Sequence, residues 1–166
     1  MKFLVTADNN GAIGRGGQPL VTIPAVQQGF LKKTQGKVVV MGRKTLEGLP
    51  GGQPLGKRIN VVLSENPSYK IKGAVVCHSI TETMEYLKQF SEDDIYVIGG
   101  ESVFRQLLPY CTTVYLTHID YEYDADVKFP ADLCRSTEWE MTEEGEEQTY
   151  FSLCYTPEVY VRKQIK

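Results

Sequence analysis

Apolar residues fall in short runs of four or five along this chain, punctuated by glycine-rich turns and by segments with helical spacing. Phe3 to Ala7 reads as a buried strand, and Lys37-Val38-Val39-Val40-Met41 as a second, continuous one. Arg58 to Ser64, Ala74 to Cys77, Asp94 to Ile98 and Thr113 to Ile119 repeat the pattern. Helical segments lie between them. Pro24 suits the first turn of a helix running to about Lys33, with Phe30 on its inner side. Gly42-Arg43-Lys44-Thr45 opens a short helix, which the glycines from Gly48 to Gly56 break. Ser79-Ile80-Thr81-Glu82 is a capping box, and Ile80, Met84, Leu87 and Phe90 then follow at helical spacing. Glu101 to Leu108 forms a last helix, stopped by Pro109. After Asp126 the signal is β only, with Trp139, then Val159-Tyr160-Val161, and with Pro157 expected at an edge or bulge. The glutamates from Glu138 to Glu147 read as a solvated turn. Such alternation predicts an α/β core with parallel pairing and an antiparallel C-terminal hairpin.

Composition narrows the class. A chain of 166 residues can bury roughly 70% of its unfolded surface as one domain, so no disulfide or metal is needed to hold it. With 42% hydrophobic and 23% charged residues and a net charge of −3, it has no general attraction for phosphate backbones or anionic lipid. Neither nucleic acid nor a membrane surface is expected as a partner. The first residues turn polar at once and leave no room for a secretory segment, so a soluble, cytoplasmic protein is expected. Cys77, Cys111, Cys134 and Cys154 are scattered, with no closely spaced pair for zinc; they read as buried or half-buried free thiols, and no metal site is expected.

Two tempting motifs fail. Gly51 to Lys57 fits most of a phosphate-binding P-loop, but Arg58 stands where a hydroxyl must hold magnesium, and a strand follows in place of a helix. Gly100-Glu101-Ser102 starts like a nucleophile elbow, yet Phe104 replaces the second glycine. Two strand-to-helix turns survive: Ile98-Gly99-Gly100-Glu101-Ser102 and Gly42-Arg43-Lys44-Thr45. Glycine admits close approach of a ligand to the backbone, and free N–H groups at a helix start favour an anion. Two such turns on one sheet edge point to a phosphorylated cofactor.

With these pieces in order, the chain resembles the dihydrofolate reductase family over essentially its whole length. The resemblance rests on Ala12-Ile13-Gly14, on Thr34 to Thr45 and Arg58 to Ser64, and on Val97 to Ser102, Tyr115 to Asp120 and Asp126-x-x-Phe-Pro130. It implies a three-layer α/β fold over residues 1–166, with a mostly parallel eight-stranded sheet, flanking helices and an antiparallel C-terminal strand. It also implies NADPH as cofactor. Gly42, Arg43, Lys44 and Thr45 would meet its phosphates; Leu63, Ser64 and His78 would lie towards its adenosine 2′-phosphate. Ile98, Gly99, Gly100, Glu101, Ser102 and Val103 would hold the pyrophosphate and nicotinamide side. Ala7, Ile13 and Gly14 would contact the nicotinamide, with residues 14–20 as a mobile loop over it. For the substrate, Val5, Phe30, Leu49, Leu55 and Ile98 would form an apolar pocket, Arg58 would grip the carboxylate of a glutamate tail, and Thr117 would support the pterin end.

One departure matters. The family's loop carries a hydrophobic–Pro–Trp triplet and then, two residues past a proline, a carboxylate; here the triplet reads Pro19-Leu20-Val21 and the acid's position is Val26. No Asp or Glu occurs between Asn9 and Glu47, and Asp8 precedes the loop. A forfeited charge-assisted hydrogen bond is worth about 1.5–3 kcal/mol. General-acid assistance contributes on the order of 10²–10⁴ in rate. Three readings follow: a dihydrofolate reductase with weakened or rerouted protonation through water and a hydroxyl such as Thr22 or Thr117; an NADPH-dependent reductase of the same fold acting on another, non-folate heterocycle or carbonyl; or a non-catalytic NADPH- or folate-binding homologue. A monomer is expected in each.

Overall fold

A computed structural model describes residues 1–163, so the last three residues of the expected domain lie outside it. Its centre is a nine-stranded sheet. The parallel part comprises β1 (Lys2–Ala7), β4 (Val38–Gly42), β5 (Ile59–Leu63), β6 (Ala74–Cys77), β7 (Ile95–Gly99) and β8 (Thr113–Ile119), in the order β8-β1-β7-β4-β5-β6. These are the continuous apolar runs, as strands covered on both faces should be. Register follows: Leu4 pairs with Tyr115 of β8, and Val40 pairs with both Val61 of β5 and Val97 of β7. Phe3, Val40, Val61 and Val97 have no exposed surface and centre the core, against which Phe104 packs its ring 5.1 Å from that of Phe3.

Four helices flank the sheet: α1 (Pro24–Thr34), α2 (Arg43–Glu47), α3 (Ile80–Leu87) and α4 (Glu101–Leu107). At the start of α3, Ser79 Oγ accepts from Glu82 N–H, as the capping box requires. The reciprocal bond lands one residue early, with His78 N–H donating to the Glu82 carboxylate at 2.9 Å. In α1 only Thr34 is buried, and Phe30 is half-buried, because the inner face of this helix borders a cleft instead of the core.

Beyond β8 the sheet turns antiparallel through β12 (Leu153–Arg162), which pairs with β8 and carries β10 (Trp139–Glu144) and β11 (Gln148–Tyr150) on its outer side. The expected solvated turn is therefore mostly strand. Glu140, Glu143 and Glu144 are exposed on β10, and only Trp139 is buried. β11 also raises the sheet from the expected eight strands to nine. Pro157 sits inside β12 opposite Thr117, where β10 gives way to β11; the Gly145 N–H donates to its carbonyl there, so the missing proline N–H interrupts no ladder. A small sheet, unforeseen in the sequence, joins β2 (Ala12–Arg15) to β3 (Gln18–Pro19) and β9 (Val127–Lys128). All four cysteines are free, and Cys134 is exposed, against the expectation that all would be at least half-buried. No helix among the described residues is long and apolar enough to cross a membrane.

Candidate active site

The carboxyl ends of β1, β4, β5 and β7 open into a cleft of about 1450 Å³, where an open parallel sheet places its ligands. Two glycine turns shape its middle. At the end of β4, a Cβ on Gly42 would stand 3.2 Å from Val103 Cγ2 of α4, so the two turns approach closely only because Gly42 has no side chain. Gly99 adopts φ +125°, a conformation open to glycine alone, and lies against Thr45. Gly42 and Gly100 cap α2 and α4 without a side-chain hydrogen bond, which leaves the first-turn N–H groups of both helices free at the cleft. The fit to a pyrophosphate is chemical as well as steric: backbone donors, the Thr45 hydroxyl, Lys44 and Arg43 border one space.

Beyond β5 the cleft continues past Leu63, Ser64 and His78. His78 Nδ1 lies 2.9 Å from the Ser64 carbonyl and so donates to it, while Ser64 N–H donates to the Cys77 carbonyl at 2.9 Å. These bonds tie the ends of β5 and β6 into one wall.

On the other side, Val26 and Phe30 stand one turn apart on α1, with Thr34 a turn further, all facing the cleft. Val5, Leu49, Leu55 and Ile98 complete an apolar chamber with them, and Thr22 lies at its rim. Leu55 is held in an irregular loop by Asn60, whose side-chain oxygen accepts from its N–H at 3.0 Å and whose amide donates to its carbonyl at 2.8 Å. None of these chamber residues is an acid. Asp8, 4% exposed, accepts from the N–H groups of Asn10, Ala12 and Tyr123 and is fully engaged.

Ile13 and Gly14 line the cleft from β2, and Gly99 through Val103 from the β7–α4 turn. The hairpin of β2 and β3 is fastened by Gly16 N–H donating to Asp126 Oδ2 at 3.1 Å and by an Arg15–Asp124 ion pair of 2.9 Å. Three expected site residues do not line the cleft. Ala7 is buried in the core, and Thr117 is 6% exposed and paired between Thr6 and Pro157. Arg58 stands outside the lining, with Nε donating to Thr34 Oγ1 at 3.0 Å and the two terminal nitrogens donating to the carbonyls of Gly56 and Leu31. One N–H remains on each terminal nitrogen, the pair that a carboxylate accepts in bidentate fashion.

Sequence reasoning missed Thr34 and Asn60, which position Arg58 and Leu55. Their signal was available: Thr34 is the polar third step of the Val26–Phe30 stripe, and Asn60 is the lone polar residue inside an apolar strand. Glu65 and Asn66, beside Ser64, were missed as well.

Fold and cleft define an α/β protein built to hold an extended, partly anionic ligand across the carboxyl edge of a parallel sheet. The family model for dihydrofolate reductase matches residues 1–162. Dihydrofolate reductase of Haemophilus influenzae is 37% identical over 139 residues, covering 84% of this chain and 82% of that protein. Dihydrofolate reductase type A13 of Escherichia coli is 32% identical over 162 residues, covering 97% and 94% respectively. Among solved structures, dihydrofolate reductase from Enterococcus faecalis complexed with NADP(H) and RAB-propyl superposes with a TM-score of 0.84 at 30% identity, over 98% of this chain and 96% of that one. The chain belongs to the dihydrofolate reductase family, whose members are NADPH-dependent oxidoreductases.

Proposed function

We propose that this chain reduces 7,8-dihydrofolate to tetrahydrofolate with NADPH, and does so without an enzyme acid at the pterin ring. The observation that carries the reading is the α1 face: Val26 and Phe30 look into an apolar chamber none of whose lining side chains is an acid, and Asp8, which precedes the loop, is engaged by three backbone N–H groups. When bound, NADPH supplies the hydride. Arg43, Lys44 and Thr45 with the Gly99–Gly100 turn hold its phosphates, while Ile13 and Gly14 wall the nicotinamide side. Lys44, Ser64 and His78 receive the adenosine 2′-phosphate. Phe30, Leu49 and Leu55 exclude water from the flat faces of the substrate, and Arg58 offers its two remaining N–H groups to the glutamate tail.

Hydride addition at C6 leaves N5 in need of a proton. Val26 has none to give, and Thr22, exposed at the rim, can orient a water towards the ring. Proton delivery is therefore a solvent event, and the rate rises with proton concentration without an enzyme group of its own to titrate. The chain acts as a single-domain monomer in the cytoplasm. Its free cysteines suit a reducing compartment, and exposed glutamates on the edge strand β10 oppose sheet-to-sheet pairing.

The test follows NADPH absorbance with dihydrofolate from acidic to neutral pH, beside a no-enzyme control. Turnover above the control that climbs steadily as pH falls supports the reading. NADPH binding with no dihydrofolate turnover even at low pH overturns it.

A further inference from the structure

We propose that Glu65 sets how far this chain distinguishes NADPH from NADH, by opposing the one phosphate that separates them. The inference rests on the placement of the adenosine end given above. Charges along that wall are few. Arg43 is tied to Glu47 across one turn of α2, at 2.7 Å, which offsets part of its charge. Lys44 makes no ion pair among the described residues, and Glu65, exposed on the same cleft lining immediately after Ser64, makes none either. One unpaired cation and one unpaired anion thus line the same cleft.

His78 keeps its Nδ1 on the Ser64 carbonyl, which leaves Nε2 as the ring atom able to meet a phosphate. The Glu82 carboxylate, bound to the His78 N–H, adds a second negative group on the α3 side. The other charged residues that line the cleft are Lys44, Arg43, Arg15, Glu101 and Asp126, of which Arg43, Arg15 and Glu101 are ion-paired with neighbours. A 2′-phosphate brings close to two negative charges to a wall whose own charges nearly cancel. A ribose 2′-hydroxyl brings none and can donate to a carboxylate, the arrangement by which acidic side chains favour the non-phosphorylated cofactor elsewhere. The consequence is a chain that uses NADPH but admits NADH unusually well.

The experiment compares the native chain with Glu65→Gln and Glu65→Lys. The first measurement is kcat/KM for NADPH and for NADH with dihydrofolate. The second is the dissociation constant of adenosine 2′,5′-bisphosphate against that of adenosine 5′-monophosphate. For Glu65→Gln the bisphosphate tightens about three- to tenfold, the change expected when one charge leaves the neighbourhood of a phosphate in water-exposed surroundings, and the monophosphate does not follow. Glu65→Lys moves the bisphosphate further in the same direction, and added salt shrinks the difference. The NADPH to NADH ratio rises in parallel. Equal shifts for both nucleotides, no shift in either, or no binding of the bisphosphate would overturn the proposal. Absent dihydrofolate turnover with the bisphosphate shift intact would instead sink the reading of function and leave Glu65 in its role.

Discussion

Arg58 Nε donates to the hydroxyl of Thr34 across 3.0 Å, and that hydroxyl in turn donates to the Phe30 carbonyl at 2.9 Å, so a residue of the β5 approach is locked to the last turn of α1. Thr34 is 2% exposed, which keeps water from competing for the bond. The lock leaves Arg58 with its remaining N–H groups free for a carboxylate. Thr34→Val retains shape and loses both hydrogen bonds. It should raise KM for dihydrofolate about five- to thirtyfold, in line with a charge-assisted bond of about 1–2 kcal/mol, and change kcat little. Thr34→Ser should restore KM. A dihydropterin without the glutamate tail should be handled alike by all three proteins; if it suffers equally, Thr34 only maintains the fold.

Val26→Asp is the direct probe of the missing acid. A carboxylate at this step of α1 would stand in the chamber with Phe30 one turn away. Dihydrofolate turnover near neutral pH should rise on the order of tenfold to a hundredfold, the lower part of the range for general-acid assistance, because the surrounding chamber is not arranged around the new group. Burying it against Ile23 should also cost about 1–2 kcal/mol of stability, readable as a lower melting temperature. Val26→Asn supplies hydrogen bonds but no titrating group. An equal gain with asparagine would mean that binding, and not protonation, had limited the native chain.

The same absence governs inhibitors that bind as ring cations. A protonated 2,4-diaminopyrimidine seeks a carboxylate, and the chamber around Val26 offers none. Affinity should be roughly thirtyfold or more below that for Val26→Asp, from an ionic hydrogen bond of about 2 kcal/mol. An inhibition constant in the nanomolar range for the native chain would contradict the empty acid position.

Much of this was legible in the chain because it is local. Continuous runs such as Val38 to Met41 could only be strands covered on both faces, and the pairing of Val40 with Val61 and Val97 bears that out. The glycine turns were legible for the same reason: a phosphate cradle needs glycine at a strand end whatever surrounds it. What could not be read depends on partners distant in sequence. Glutamates 140, 143 and 144 form a strand only because β12 supplies a ladder that their composition does not advertise. Thr34 and Arg58 meet across 24 positions, and Asn60 folds back on a loop that has no regular structure of its own. Arg58 itself was expected in the site and stands just outside the cleft lining, because three of its donors serve the scaffold.

Gly145 is the tightest steric point in the C-terminal hairpin. A Cβ there would fall 2.5 Å from Pro157 Cγ, and a proline ring cannot swing away as the end of a long side chain can. Gly145→Ala should destabilise the protein by about 2–3 kcal/mol through local overpacking. Pro157→Ala removes the ring atom that would be struck, so in its background Gly145→Ala should cost well under half as much. Urea midpoints of the two single variants and the double variant would show this coupling. Strict additivity would place the strain elsewhere.

Alkaline pH should weaken the fold through Cys111. Its thiol is buried beside β8, with Sγ 3.4 Å from the Thr113 carbonyl, and burial pushes its pKa from 9.0 up to about 12. Burial likewise raises Cys77, Tyr96 and Tyr160. In the unfolded chain the Cys111 thiol ionises from 9.0 upward, whereas the folded chain keeps the proton. Between these two values the unfolded state binds fewer protons than the native one, so stability falls as pH rises through that window and is unaffected by this group below it. By about pH 10 the loss from Cys111 should be on the order of 1 kcal/mol. Cys111→Ala starts about 1 kcal/mol less stable near neutrality, having lost a buried sulfur of roughly methylene size. It should then lose less on alkalinisation, so that its urea midpoint, measured with reductant present, converges on the native one towards about pH 10. Curves that stay parallel across this range would show that the thiol ionises as readily folded as unfolded.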